Sequence, residues 1–215
     1  MPAGTPPRQE SQCPICRARE RHRLLWYYIE NETSLSDGGN DILYFAPTNQ
    51  IKDKLEKSGN NLTTTDLMMN NVDVKADITQ LPFDSRTFDA IICSHVLEHI
   101  PDDRSAMSEM SRVLASDGDA LIMVPKDKDR EHTYEDDSIT SPEGRRREFG
   151  QEDHVRWYGR DFDKRLSQSG FHCSIETYSE GFDSEIVDRY GLRVYDQHLD
   201  RVKYEDIHHC TKAKN

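Results

Sequence analysis

The chain has 215 residues, 34% of them hydrophobic, with 40 acidic against 28 basic side chains and a net charge of −12. That length suits one well-buried α/β domain and is short for two. A surface this acidic repels phosphate backbones and makes nucleic acid a poor candidate partner. No apolar run approaches the roughly 20 residues of a membrane span. The opening residues have no apolar h-region, so a cytoplasmic protein without a membrane partner is expected.

Residues 1–18 read as an N-terminal segment, Pro-rich and disordered over 1–12. Cys13-Pro14-Ile15-Cys16 is half of a zinc-ribbon pattern. A structural zinc needs four ligands, so free thiols are the reading kept. Five cysteines, an odd number and mostly far apart, suggest reduced thiols rather than a disulfide framework. Residues 19–215 read as a single domain. Leu24, Leu25, Tyr28 and Ile29 recur at helical spacing, which predicts a helix over about 19–31. A strand over 42–47, a helix over 49–58 ended by Gly59, and the β-branched strand "NLTTTDL" follow. "FDAIICSHV" reads as a strand buried on both faces. "DRSAMSEMSRVLASDG" reads as a helix stopped at Gly118, and "DALIMVP" as the next buried strand. Residues 126–153 are charged and aperiodic, and read as a lid-like insertion. "GRDFDKRLSQSGF" predicts a helix ended by Gly170, and "FHCSIETYS" and "YEDIHHCTK" the last strands. Strands alternating with helices imply a Rossmann-like, doubly wound α/β fold with a mostly parallel sheet.

In such sheets ligands bind at the carboxyl ends of the strands. The relevant ends are "FAPT" at 45–48, Asp66, "ADI" at 76–78 and "SH" at 94–95. Asp66 lies about 20 residues past the first loop, the spacing at which a carboxylate meets ribose hydroxyls. Asp77 could accept from an adenine amino group. The cofactor-contact candidates are Phe45, Ala46, Pro47, Asp66, Leu67, Asp77, Ile78, Ser94 and His95.

"DITQLPFDSRTFDAIICSHVLEHIPDDRSAMSEMSRVLASDGDALIMVP" resembles the central part of class I S-adenosylmethionine-dependent methyltransferases, of the type 11-like kind. The shared pattern is D-x-x-x-L-P-F, then F-D-x-I-x-x-x-x-V-L-E-H, then R-V-L-x-x-x-G-x-x-x-x-x-V-P. Within that family the chain is similar to a smaller set with C-P-x-C…E-R-H-R early and "FGQEDHVRWYGRDF" late. The resemblance implies seven strands with the last one antiparallel, S-adenosyl-L-methionine as cofactor, and in-line SN2 transfer of a methyl group to a small-molecule substrate. The alternatives are a non-catalytic binding module of the same fold, or an RNA or protein methyltransferase. The family's first loop usually carries glycines, and "FAPT" has none. Adenosylmethionine has no phosphates, so its loop needs only close backbone approach; Ala46 is small and Pro47 fixes φ.

A sulfonium is a good leaving group, so the enzyme mainly positions and desolvates, with a base needed only for a protonated nucleophile. His95, Glu98 and His99, at i, i+3 and i+4, share one face. With His154 from the late segment they are the catalytic candidates, expected to converge. The same four, or Cys13 with Cys16, could ligate a divalent metal, and imidazole among the ligands favours manganese, iron or zinc over magnesium. The reading adopted has no metal. Arg21, His22, Gln151, Arg156 and Tyr158 are the substrate-side candidates.

Overall fold

The computed structural model describes residues 11–176, 181–192, 194–196, 201–203 and 205–213. The expected disordered stretch therefore lies mostly outside the described residues, as do parts of the two C-terminal strand segments. The main elements are helix α1 (Glu20–Glu32), strand β1 (Asp41–Phe45), α2 (Asn49–Lys57), β2 (Asn61–Thr65), β3 (Phe88–Ser94) and α3 (Asp103–Val113). Next come β4 (Leu114–Met123), β5 (Tyr134–Glu135), α4 (Pro142–Phe149), β6 (Arg156–Trp157) and α5 (Phe162–Gln168). The chain closes with β7 (Phe171–Glu176), α6 (Ser184–Tyr190), β8 (Val194–Asp196), β9 (Arg201–Lys203) and β10 (Ile207–Lys212).

The main sheet has the order β2-β1-β3-β4-β10-β7. β2, β1, β3 and β4 run parallel, and β10 lies antiparallel between β4 and β7. The last strand is antiparallel as expected, but the sheet has six strands where seven were expected. The missing edge strand is reduced to a single parallel bridge between Thr65 and Val74. Asp73 accounts for this: its carboxylate accepts from the Thr64 N–H at 2.8 Å and hydroxyl at 2.6 Å, so a side chain takes the place of a continuous ladder.

Both faces of the sheet are covered. One face packs Leu43, Ile91, Ala120 and Ile122 against Met107 and Met110 of α3 and Phe162 and Leu166 of α5. The other packs Ile42, Tyr44, Ile92 and Leu121 against Leu24, Leu25 and Ile29 of α1 and Ile51 and Leu55 of α2. This double burial explains the unbroken apolar reading of β3 and β4.

Three local expectations change. Helix α3 ends at Val113, and the chain enters β4 directly through Leu114 in extended backbone. Gly118 is therefore no helix stop but a close approach: a Cβ there would lie 2.7 Å from the Asp89 carbonyl oxygen. Residues 126–153 are not structureless. They hold β5, which pairs with β6, and α4, which Ser141 caps at its start and Gly150 ends at φ 86°. Phe149 anchors that helix in full burial. The charge of "PEGRRREF" hid its apolar anchor. Finally, Cys173 and Cys210 are bonded as a disulfide across directly opposed positions of β7 and β10, so the reading of all cysteines as free thiols holds only for Cys13, Cys16 and Cys93. Two cysteines 37 residues apart show no such pairing until the strands are in register.

Candidate active site

The first strand end is built by Tyr44. Its hydroxyl lies 3.1 Å from the Thr48 hydroxyl and accepts the Thr48 N–H at 3.2 Å, so it closes the "FAPT" loop from beneath. Ala46 then sits in the left-handed region at φ 45°, its N–H bonded to the Thr65 carbonyl. An L-residue there is uncommon, and alanine is the smallest side chain that tolerates it. Pro47 is buried. The side chains of Phe45 and Ile78, both cofactor-contact candidates, pack into the core at 3% and 5% exposure. Apolar side chains at strand ends are drawn to the covered face, and spacing could not show which way they point.

Asp66 stands at the end of β2. Its Oδ1 accepts from the Met68 and Met69 N–H groups at 2.6 and 2.7 Å, which fixes the side chain and aims the turn. Leu67 and Met68 beside it are 54% and 80% exposed. Asp77 is exposed and folds its own turn by accepting from the Thr79 N–H and hydroxyl, both at 2.8 Å. The loop that follows is held by α3: Glu109 accepts the Leu81 N–H, and Arg112 donates to the Leu81 and Phe83 carbonyls. These contacts give the arginine of "SRVL" its structural reason.

At the end of β3, Ser94 is half-buried and His95 is left-handed at φ 57°, its N–H bonded to the Met123 carbonyl. His95 Nδ1 lies 3.3 Å from Glu98 and Nε2 3.3 Å from Glu205. Burial opposes its protonation, but Glu205 and Glu98 outweigh burial and raise its pKa above the usual histidine value. Glu98, 1% exposed, lies in a short 3-10 turn at Leu97–His99. Burial works against its ionisation, and the adjacent histidines reverse that and lower its pKa. His99 Nε2 is 4.0 Å from Glu98, and the His99 and His154 rings stack edge to face with centroids 4.7 Å apart. The four candidates His95, Glu98, His99 and His154 are thus brought together around one buried carboxylate.

The start of α1 lies within electrostatic reach of this group. His22 is partly buried, and burial, with Arg21 and Arg19 nearby, lowers its pKa to about 3. His95 and Glu205 also act on it, and Arg21 acts on His95, so Arg21 and His22 share the electrostatic neighbourhood of the strand end. Gln151 is exposed. Arg156 and Tyr158, the other substrate-side candidates, are both bonded into the fold. Arg156, 3% exposed, donates to the carbonyls of Leu97, Ile100 and Pro101 and to Glu135, which uses its whole fork. Tyr158 is fully buried and donates to Asp103 at 2.8 Å. With Arg165 they form a buried network that borders a polar cleft of about 290 Å³ beside α3. Glu205 was missed; nothing in its local sequence distinguishes it from other surface acids. Cys13 and Cys16 lie in a turn, bonded from the Cys13 carbonyl to the Arg17 N–H, at the start of α1.

Residues 46–122 match the methyltransferase domain family. The match covers the central part of the chain, and the architecture is the α/β Rossmann-like fold of methyltransferases. Among solved structures, the chain resembles the cyclase SpnF at 17% identity and a TM-score of 0.60, over 95% of this chain and 87% of that one. It resembles an S-adenosylmethionine dependent methyltransferase from Mesorhizobium loti at 16% identity and a TM-score of 0.54, over 81% and 92%. It also resembles the Burkholderia thailandensis 1,6-didemethyltoxoflavin-N1-methyltransferase, with bound 1,6-didemethyltoxoflavin and S-adenosylhomocysteine, at 14% identity and a TM-score of 0.58, over 91% and 78%. No curated protein gives a significant match. No helix among the described residues is long and apolar enough to cross a membrane.

Proposed function

We propose that the chain is an S-adenosylmethionine-dependent methyltransferase acting on a small molecule. The observation that carries this is the paired strand-end geometry: Ala46 and His95, both left-handed, at the tips of adjacent strands β1 and β3, with Asp66 at the tip of β2. Non-glycine residues in this backbone region concentrate at functional sites. The site fits the cofactor on chemical grounds. There is no phosphate cradle, Ala46 keeps side-chain bulk off the loop, Asp66 offers its second oxygen to hydroxyl donors, and Leu67 and Met68 offer exposed apolar surface to an adenine face.

The cofactor, when bound, supplies an electrophilic methyl group. The chain's own work is to hold and to deprotonate. Asp66 would accept from a ribose hydroxyl, and Asp77 and Ser94 would complete the edge. His95, held between Glu98 and Glu205, stands where the nucleophile enters and can take its proton, with the two carboxylates orienting the ring. Arg21 and His22 cover the entrance from α1. A net charge of −12 disfavours a polyanionic substrate, and the toxoflavin enzyme of the same fold acts on a small heterocycle.

Calorimetry with adenosylmethionine and adenosylhomocysteine tests the cofactor, and a metabolite extract with a labelled methyl donor then tests the reaction. Binding followed by label transfer to a low-mass product is expected. Absence of binding by a folded chain overturns the proposal, and binding without transfer to any metabolite leaves the non-catalytic module as the better reading.

A further inference from the structure

We propose that Glu98, His99 and His154 form a binding site for a divalent transition-metal ion, against the expectation of a metal-free cluster. One ligand atom from each residue lies within 4.8 Å of the others. Distance alone does not make a site; two further observations do.

The first is the state of Glu98. Its side chain is 1% exposed, and neither carboxylate oxygen has a hydrogen-bond partner of sound geometry. His95 Nδ1 stands 3.3 Å from Oε1, but as an ion-pair neighbour rather than an aligned donor. A buried carboxylate is costly when its oxygens have no aligned donor, and the His95 ring, though close, leaves both Glu98 oxygens without one.

The second is the orientation of the two histidines. His99 Nδ1 faces the Asp153 backbone carbonyl at 3.3 Å and the Asp153 carboxylate at 3.3 Å. His154 Nδ1 faces the Phe149 carbonyl at 3.1 Å. An acceptor at Nδ1 makes that nitrogen the protonated one and leaves the lone pair on Nε2. Both rings therefore have the outer-sphere support that metal-bound histidines carry. The backbone adds its own clamp: the Val155 N–H donates to the Glu98 carbonyl at 2.9 Å, which pins the His154 segment to the turn that carries the other two ligands.

Two imidazoles and one carboxylate suit zinc, iron(II) or manganese rather than the all-oxygen sites of calcium and magnesium. Bonds of about 2.0–2.1 Å set tetrahedral ligand atoms roughly 3.4 Å apart. His99, with a third of its side chain exposed, can supply the small inward rotation. Three protein ligands leave at least one position open to solvent on the His99 side.

The test is a titration of the full chain, stripped with chelator, with cobalt(II) followed by absorption and with zinc(II) followed by calorimetry. One equivalent should bind and give d–d bands without thiolate charge transfer, unaffected by Cys13→Ser and Cys16→Ser. His99→Ala, at the partly exposed ligand, should keep the fold by circular dichroism and weaken binding by about tenfold or more. His154→Ala should do the same if it folds. Thiolate bands that vanish with the cysteines, no binding at all, or full affinity in His99→Ala would each overturn the proposal. None of these readouts depends on methyl transfer, so the metal site can fail while the proposed function stands, and the reverse.

Discussion

Ala46 and His95 take the same left-handed backbone, at φ 45° and 57°, beside each other at the tips of strands whose final register pair is Phe45 with Cys93. Two strained L-residues side by side at one sheet edge are unfavourable for folding alone. Each costs on the order of 1 kcal/mol relative to glycine.

Ala46→Gly should therefore stabilise the chain by about 0.5–1 kcal/mol, seen as a rise of roughly 1–4 °C in melting temperature for a domain of this size. Cofactor affinity should be kept, since the backbone path is unchanged. A lower melting temperature would show that Ala46 is not strained in the folded chain.

Asp66→Asn isolates the ribose contact from the turn. Asparagine retains a carbonyl oxygen for the Met68 and Met69 N–H groups but replaces the second acceptor by an amide donor. Adenosylmethionine binding should weaken by about 1.5–3 kcal/mol with unchanged thermal stability. Calorimetry on the folded variant decides, and wild-type affinity would remove Asp66 from the cofactor site.

His22 links stability to pH. Burial first, then Arg21 and Arg19, lowers its folded pKa from 6.5 to about 3. Between those values the unfolded chain binds a proton that the folded chain does not, so the contribution of His22 is complete above pH 6.5 and is lost as pH falls toward 3. His22→Gln should flatten the decline of the urea midpoint between pH 6.5 and 5, a window above the ordinary carboxylate range. An unchanged slope would mean that His22 titrates normally.

Arg156→Ala should cost about 3–5 kcal/mol in urea unfolding, because it leaves three backbone carbonyls without their donor and removes one of the two arginines that pair with the buried Asp103 and with Glu135. Adenosylmethionine affinity of the remaining folded chain should be unchanged. A stable variant with altered methyl-acceptor kinetics would return Arg156 to the substrate side.

The strand–helix alternation, the burial of β3 and β4 and the Asp66 spacing were legible in the sequence, because periodicity and chain-local turn chemistry write them into neighbouring residues. The proximity of His95, Glu98 and His99 was legible from their spacing, but not the backbone that achieves it: only Glu98 and His99 lie in the 3-10 turn, and a left-handed His95 precedes it. What lies far apart in the chain was not legible. The approach of His154 to His99, the Glu205 contact with His95, the Cys173–Cys210 bond and the structural capture of Arg156 and Tyr158 depend on strand register and on the path of residues 126–158. Side-chain direction was equally out of reach: Phe45 and Ile78 sit at the expected edge, yet both are buried in the core cluster on that face of the sheet. Local pattern records which face a residue can show; only the competition among all the packed segments decides what that face meets.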